Sequence, residues 1–233
     1  MGVSERKFFQ AIRQCNTELV TEMLDQYPGL VSSTVKQPPK KENGQSPLQI
    51  ALQYCNGDFT IPNVLLDKGA DVNFIAEENG YSRWRAPASH DAIRAAVLYS
   101  RWVARKPSGE HDEYGGIVWA FPLQNTKETS DAAFAFLKRV FQNDGDITAH
   151  DSYGTSCIGR AITTAEEILP RWKWQDRCLS REKPLNNELV HDLTRIFDYL
   201  LQCGADADEY IENLSQTYHE KMNNSAISAF YTL

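Results

Sequence analysis

Five histidines, five cysteines and two arginine- and tryptophan-rich stretches are the residues of this 233-residue chain with chemistry to offer. His90, His111, His150, His191 and His219 each lie beside an acidic residue or one position from it. None has the spacing of a metal site: there is no H-E-x-x-H, and no pair at i and i+4 that would set two imidazoles on one helix face. His111-Asp112-Glu113 reads as a solvated loop triplet. Cys15, Cys55, Cys157, Cys178 and Cys203 are odd in number, widely spaced and without a C-x-x-C pair. Neither a disulfide framework nor a zinc site is expected of them, and reduced thiols predict a cytoplasmic protein. A nucleophile needs a base and an activating turn, yet no G-x-S-x-G and no phosphate loop occurs. Gly154-Thr155-Ser156 reads as the opening of a helix. The sequence therefore predicts no catalytic residue, no metal, no cofactor and no enzymatic activity.

The charged and aromatic residues point to binding. Residues 81–106 carry six basic side chains (Arg83, Arg85, Arg94, Arg101, Arg105, Lys106) against Asp91, a net of +5. Residues 170–184 carry five (Arg171, Lys173, Arg177, Arg181, Lys183) against Asp176 and Glu182, a net of +3, which leaves −15 on the rest of a chain whose total is −7. Trp84, Trp102, Trp172 and Trp174 lie in the same two stretches. Tryptophan with arginine is the composition of an interface hot spot. Trp172-Lys173-Trp174 places two indoles on opposite sides of a helix or on one face of a strand, so one of them is expected at the surface. The competing reading packs the indoles into a small core with the arginine stems lying over it. Candidate partner-binding residues here are Trp84, Arg85, Trp102, Arg105, Trp172, Trp174 and Arg177. The acidic balance argues against generic nucleic-acid binding, which needs a basic surface; a sensor of single strands or of a small ligand, stacking on these arginines and indoles, is the alternative. Glu42, Asp58, Glu77, Glu78 and Asp112 read as solvated charge that could also receive a basic partner.

The elements that position these residues are helical. With 42% hydrophobic and 24% charged residues the chain has material for a real core. No stretch approaches the roughly 20 apolar residues of a membrane helix, and the opening residues do not form a signal or transit peptide. In 44–73, Ser46 can cap a helix whose first position is Pro47, and Leu48, Ala51 and Leu52 form an apolar stripe. Val64, Leu65 and Leu66 close a second helix, Gly69 suits its left-handed C-cap, and Asp71 and Asn73 suit the turn that follows.

This segment resembles an ankyrin repeat, whose pattern runs from G-x-T-P-L-H-x-A-A to L-L-x-x-G-A-D-V-N over about 33 residues; here Ser46 replaces Thr and Gln49 replaces His. Fainter copies span about 4–34, 84–148 and 151–208. The third carries His90-Asp91-Ala92-Ile93 but has Asp144 where the capping Gly belongs. The fourth ends Leu200-Leu201-Gln202-Cys203-Gly204-Ala205-Asp206. The resemblance implies an all-α ankyrin-repeat solenoid of stacked helix-turn-helix units, one domain over 1–233, with extended insertions in repeats 3 and 4 and a C-terminal capping helix over about 210–233. Residues 94–106 and 162–175 are expected to prolong the first helices of those repeats, with a loop over 107–127. Leu66 and Leu201 are expected inside. The resemblance also implies a protein-binding module without catalysis that is monomeric on its own and binds another protein, one form being an inhibitor or immunity protein against a toxin or enzyme. Its usual contact positions, turn tips and first helices, fall near Gln45, Gln49, Tyr81, Arg85, Tyr153 and Arg160.

Overall fold

The computed structural model describes residues 3–36, 39–77, 85–173, 178–179 and 184–232. In chain order the described elements are α1 (Val3–Arg13), α2 (Thr17–Gln26), α3 (Pro47–Tyr54), α4 (Thr60–Asp67), α5 (Ala88–Leu98), β1 (Lys106–His111), β2 (Ile117–Ala120), α6 (Lys127–Gln142), α7 (Cys157–Ile168), β3 (Trp172–Lys173), β4 (Cys178–Leu179), α8 (Asn187–Gln202), β5 (Tyr210–Ile211), β6 (Gln216–Thr217) and α9 (Tyr218–Asn223). Among the described residues the strands pair as consecutive antiparallel hairpins, β1 with β2, β3 with β4 and β5 with β6. The fold of the described residues is thus mostly helical, with three two-stranded sheets where an all-α chain was expected.

The chain divides into two compact units, Met1–Ala96 with Ala132–Cys157, and Val97–Asp131 with Ile158–Leu233. In the first, α1 packs on α2 and α3, and α4 packs on α2 and α3. Phe8, Ile12, Leu24, Leu48, Leu65, Ile93 and Phe136 are fully or almost fully buried there, and the Phe59 and Phe136 rings stack at 5.3 Å. Ser46 begins α3 with a complete capping box: its hydroxyl accepts from the Gln49 N–H while the Gln49 side chain accepts from the Ser46 N–H. In the second unit the core is Ile158, Ile162, Leu193, Ile196, Phe197, Leu200 and Ile227. Leu200 is fully buried and Leu201 only half-buried, so the inward position of α8 lies one residue before the one expected; Leu66 is buried as expected. The Tyr218 ring fills the space over Gly159, where any Cβ would collide with it.

One local closure recurs. After α4, the Ala70 N–H reaches back five residues to the Leu65 carbonyl (2.9 Å); after α6 the Gly145 N–H does the same to Val140 (3.2 Å), and after α8 the Ala205 N–H to Leu200 (3.0 Å). The residue ahead of each donor is left-handed: Gly69 (φ 81°), Asp144 (φ 61°) and Gly204 (φ 98°). Two residues after each of these comes an aspartate, Asp71, Asp146 and Asp206, whose carboxylate accepts from the N–H two residues on. Asp144 serves in the glycine's place because a short polar side chain tolerates the left-handed region.

The expected helix extensions do not form. α5 stops at Leu98 and residues 106–120 make a β-hairpin; α7 stops at Ile168 and Trp172–Lys173 is a strand; 210–233 breaks into β5, β6 and the short α9. The stop after α5 has a local cause. Asn125 donates from Nδ2 to the Leu98 and Ser100 carbonyls (2.9 Å each), supplying the partners that a continuing helix would have supplied.

Candidate functional site

Two surfaces present aromatic side chains on fixed backbone, one in each unit, with Arg85 half-buried at the first and Arg105 exposed at the second. In the first unit the turn before α7 is built around Asp151. Its Oδ1 accepts from the N–H groups of Tyr153 and Thr155, both at 2.9 Å, and its own N–H donates to the Thr155 carbonyl. Gly154 takes φ 75°, which closes the turn. The Tyr153 ring is left 62% exposed at the tip. Ser152 then ties this tip to Arg85: its N–H donates to the Arg85 carbonyl (2.8 Å) and its hydroxyl accepts from the Arg85 N–H (2.9 Å). Arg85 and Tyr153, both chosen from sequence as partner contacts, therefore share one turn although they are far apart in the chain.

Nearby ring and amide positions act within the fold. His90 is fully buried, with Nε2 3.0 Å from the Ala149 carbonyl, and Gln49 Nε2 donates to the Ala86 carbonyl at 2.9 Å. Gln49 is thus held between its own helix cap and the next loop and has no free surface for a partner. Glu42, expected among the solvated acids, is buried; it accepts from Arg13 (2.8 Å) and from the Tyr54 hydroxyl (2.7 Å). The bond to Glu42, and then burial, push the Tyr54 hydroxyl above its ordinary pKa.

In the second unit the β1–β2 ladder begins before β1. The Gln124 N–H donates to the Trp102 carbonyl and the Ala104 N–H to the Pro122 carbonyl, and Val103 bridges Leu123. Trp102 is half-buried at this base, with its indole N–H on the Leu98 carbonyl at 3.2 Å. Arg105 is exposed, its guanidinium 3.8 Å over the ring centre of Trp119. Asp112 closes the tip, accepting from the N–H groups of Tyr114 (2.9 Å) and Gly116 (2.6 Å). Tyr114 at 88% exposure, Ile117, Trp119 and Leu123 all stand out to solvent along this arm.

Arg101, next to Trp102 at the base of the arm, joins a buried ion cluster. Asp192 has no exposed surface. It accepts from the Arg101 N–H (3.0 Å), twice from the Arg101 guanidinium (2.9 and 2.8 Å) and from the Ser130 hydroxyl (2.8 Å), with Arg195 and His191 each at 3.3 Å. Burial alone would push its carboxyl up, but the bonds from Arg101, Ser130 and His191 outweigh it and hold the carboxyl at about 2. Arg195 also holds Asp131 at 2.6 Å. Arg101, counted from sequence in a basic binding patch, is thereby committed to the interior.

Tyr81, Trp84, Trp174 and Arg177 lie outside the described residues. Trp172 is placed by its backbone in β3, opposite Leu179. Arg160 is half-buried on α7, its carbonyl accepting from the Thr163 and Thr164 hydroxyls. Trp119 was missed altogether, as were Tyr114 and Ile117. The signal available was Gly115-Gly116 ahead of Ile-Val-Trp, a turn followed by β-branched and aromatic residues. Among the described residues no helix is long and apolar enough to cross a membrane, and no three His, Cys, Asp or Glu side chains converge as metal ligands.

No family model matches the chain. Curated proteins give no match. Among solved structures, a chain in the complex of a predatory endopeptidase from Bdellovibrio bacteriovorus with an immunity protein aligns over 96% of this chain and 95% of its own, at 17% identity and a TM-score of 0.40.

Proposed function

We propose that the chain is a non-catalytic protein-binding module of ankyrin-type helix pairs that recognises one folded partner. The observation that carries this reading is the Asp151 turn: Tyr153 is displayed on backbone fixed from both sides and is coupled to Arg85. Tyrosine and arginine dominate interface hot spots, and a contact already rigid loses little entropy when a partner docks. The ankyrin-type reading draws support from the closure followed two residues on by an aspartate turn after α4, α6 and α8, because a fixed local motif at successive helix pairs is what a repeat produces. In its narrower form the module is an inhibitor or immunity protein that blocks a toxin or enzyme, and the net charge of −7 favours a partner with a basic face.

A tagged pull-down from source lysate at moderate salt, run with wild type and with Tyr153→Ala, tests the proposal. The expected result is one stoichiometric protein whose affinity falls by about 30-fold or more in the variant, as for loss of a hot-spot tyrosine, with the melting temperature unchanged. Equal capture by both, or no captured protein, overturns it. If the captured protein has an activity that stoichiometric addition of this chain abolishes, the narrower form holds; full activity in the complex reduces the reading to an adaptor.

A further inference from the structure

The β1–β2 arm has two edges of unequal character. In the antiparallel ladder hydrogen-bonded and non-bonded pairs alternate. The bonds at Trp102–Gln124 and Ala104–Pro122, with the register Lys106 opposite Ala120 and Pro107 opposite Trp119, fix which groups face outward. Pro107 and Trp119 form a non-bonded pair, as do Arg105 and Phe121. The N–H and C=O groups of Trp119 and Phe121 therefore point away from β1, along the free edge of β2. On the opposite edge the corresponding donor is missing, because Pro107 has no N–H, and the register shifts between Pro107 and His111. β1 thus carries the two devices by which sheets guard a free edge, and β2 carries neither. Ile117, Trp119 and Phe121 alternate onto one face, with Ile117 and Trp119 exposed. An isolated two-stranded sheet is marginal in water, and three or more strands with an apolar face are needed for independent stability.

The arm is also electrically polar along its length. Arg105 and Lys106 are exposed at its base, and Glu110, Asp112 and Glu113 are exposed at its tip. An antiparallel copy of the same arm would set each cationic base alongside the other's acidic tip. A parallel copy would set like against like.

We infer that the free edge of β2 is a self-association surface. Two copies pair β2 against β2 about a twofold axis, giving a four-stranded antiparallel sheet with Ile117, Trp119 and Phe121 of both copies on one face. Such a contact is isologous and closes at two copies. It departs from the monomer expected of a capped solenoid. Edge pairing of two short strands is a small contact beside the roughly 1,200 Å² at which specific, stable interfaces begin, so the dimer is expected to be reversible, and a dissociation constant in the micromolar range is the prediction tested below.

Sedimentation equilibrium from about 1 to about 300 μM tests this, a span wide enough to bracket a micromolar constant. The average mass is expected to climb from 26.4 kDa toward twice that value. Trp119→Pro removes the outward donor without touching an inward ladder bond and should hold the mass at the monomer value throughout. Trp119→Ala keeps the donor and should weaken the dimer by a smaller factor. Hydrogen exchange on the wild type provides a reading that does not depend on any variant folding. The Trp119 and Phe121 amides should slow as concentration rises, while the Ala120 amide, already facing β1, should not change. A wild type that stays at 26.4 kDa at the highest concentration overturns the inference. So does a dimer that Trp119→Pro leaves intact, or one that gives Trp119 and Phe121 no added protection.

Discussion

Residues 44–73 and residues 97–131 are stretches of similar length that fix their element boundaries in opposite ways. In 44–73 the bonds that set the element boundaries are local: Ser46 and Gln49 cap each other across three residues, the α4 end closes across five, and Asp71 turns the chain across two, while Gln49, Asn63, Asp67, Lys68 and Asn73 also reach partners 37 to 76 positions away. In 97–131 the decisive partners are distant: Arg101 finds Asp192 91 positions on, the Arg101 carbonyl finds Asn186 85 positions on, and Ser130 finds Asp192 62 positions on. The first stretch carries the instructions for its own boundaries. The second is a frame of non-local bonds, and the β-hairpin is held out from it.

The sharpest way to break this comparison is to remove the hub of the distant set. Asp192→Ala leaves Arg101 and Ser130 with buried, unmatched donors, and breaking a buried pair from one side costs about 3–5 kcal/mol. We expect denaturant unfolding of the variant to lose that much stability, with hydrogen exchange rising across 97–131. A loss below about 1 kcal/mol, the value of a surface ion pair, would show that the cluster does not frame the arm.

The same contrast explains what could be read beforehand. Ser46, Pro47, Gly69 and Asp71 specify helix caps and turns through chemistry confined to a few neighbours, so the start of α3 and the end of α4 were legible, whereas the end of α3 at Tyr54 and the start of α4 at Thr60 were not. The end of α8 was legible for the same reason, whereas Asp144 at the end of α6 read as a departure from the expected glycine and its left-handed turn was not foreseen. The helix extensions over 94–106 and 162–175 were read from apolar and basic residues that suit a helix equally well. What stops α5 is Asn125, whose amide arrives from 25 and 27 positions away. No local pattern announces that. Of the candidate site, Arg85 and Tyr153 were named from sequence, but the Ser152 bonds that join them were not. Glu42 was read as solvated because nothing near it in sequence shows that Arg13 and Tyr54 converge on it.

Acid provides a gentler probe of the distant set. The Asp192 carboxyl sits at about 2 in the folded protein, below its ordinary 3.8. A carboxyl depressed by folding stabilises the protein above its unfolded value and loses that contribution as pH falls through the folded one. Asp192→Asn keeps the volume and one acceptor but cannot titrate. The stability gap between wild type and Asp192→Asn should therefore be constant from neutrality down to about pH 5 and shrink by about 2 kcal/mol by pH 2. A gap that does not change with pH would mean that Asp192 does not titrate with unfolding, and that its buried position is sustained by something other than the charge of Arg101.

The local set should answer more quietly, and that asymmetry is the point of the comparison. Ser46→Ala removes the hydroxyl that accepts from the Gln49 N–H, while Gln49 keeps its bond to the Ala86 carbonyl and Pro47 still starts the helix. One cap lost at a helix with other constraints costs about 1 kcal/mol, which in a chain of this size lowers the melting temperature by about 2–4 °C. Ser46→Asp should recover most of it, since a carboxylate accepts the same bond and suits a helix start. If Ser46→Ala proved as damaging as Asp192→Ala, the capping box would be a keystone for more than its own helix. The distinction between a stretch that closes itself and one closed from afar would then fail. A small loss, largely recovered in the Ser46→Asp variant, would place the burden on the Leu48, Ile50 and Leu65 core, where a sequence built of short, self-capped helix pairs puts it.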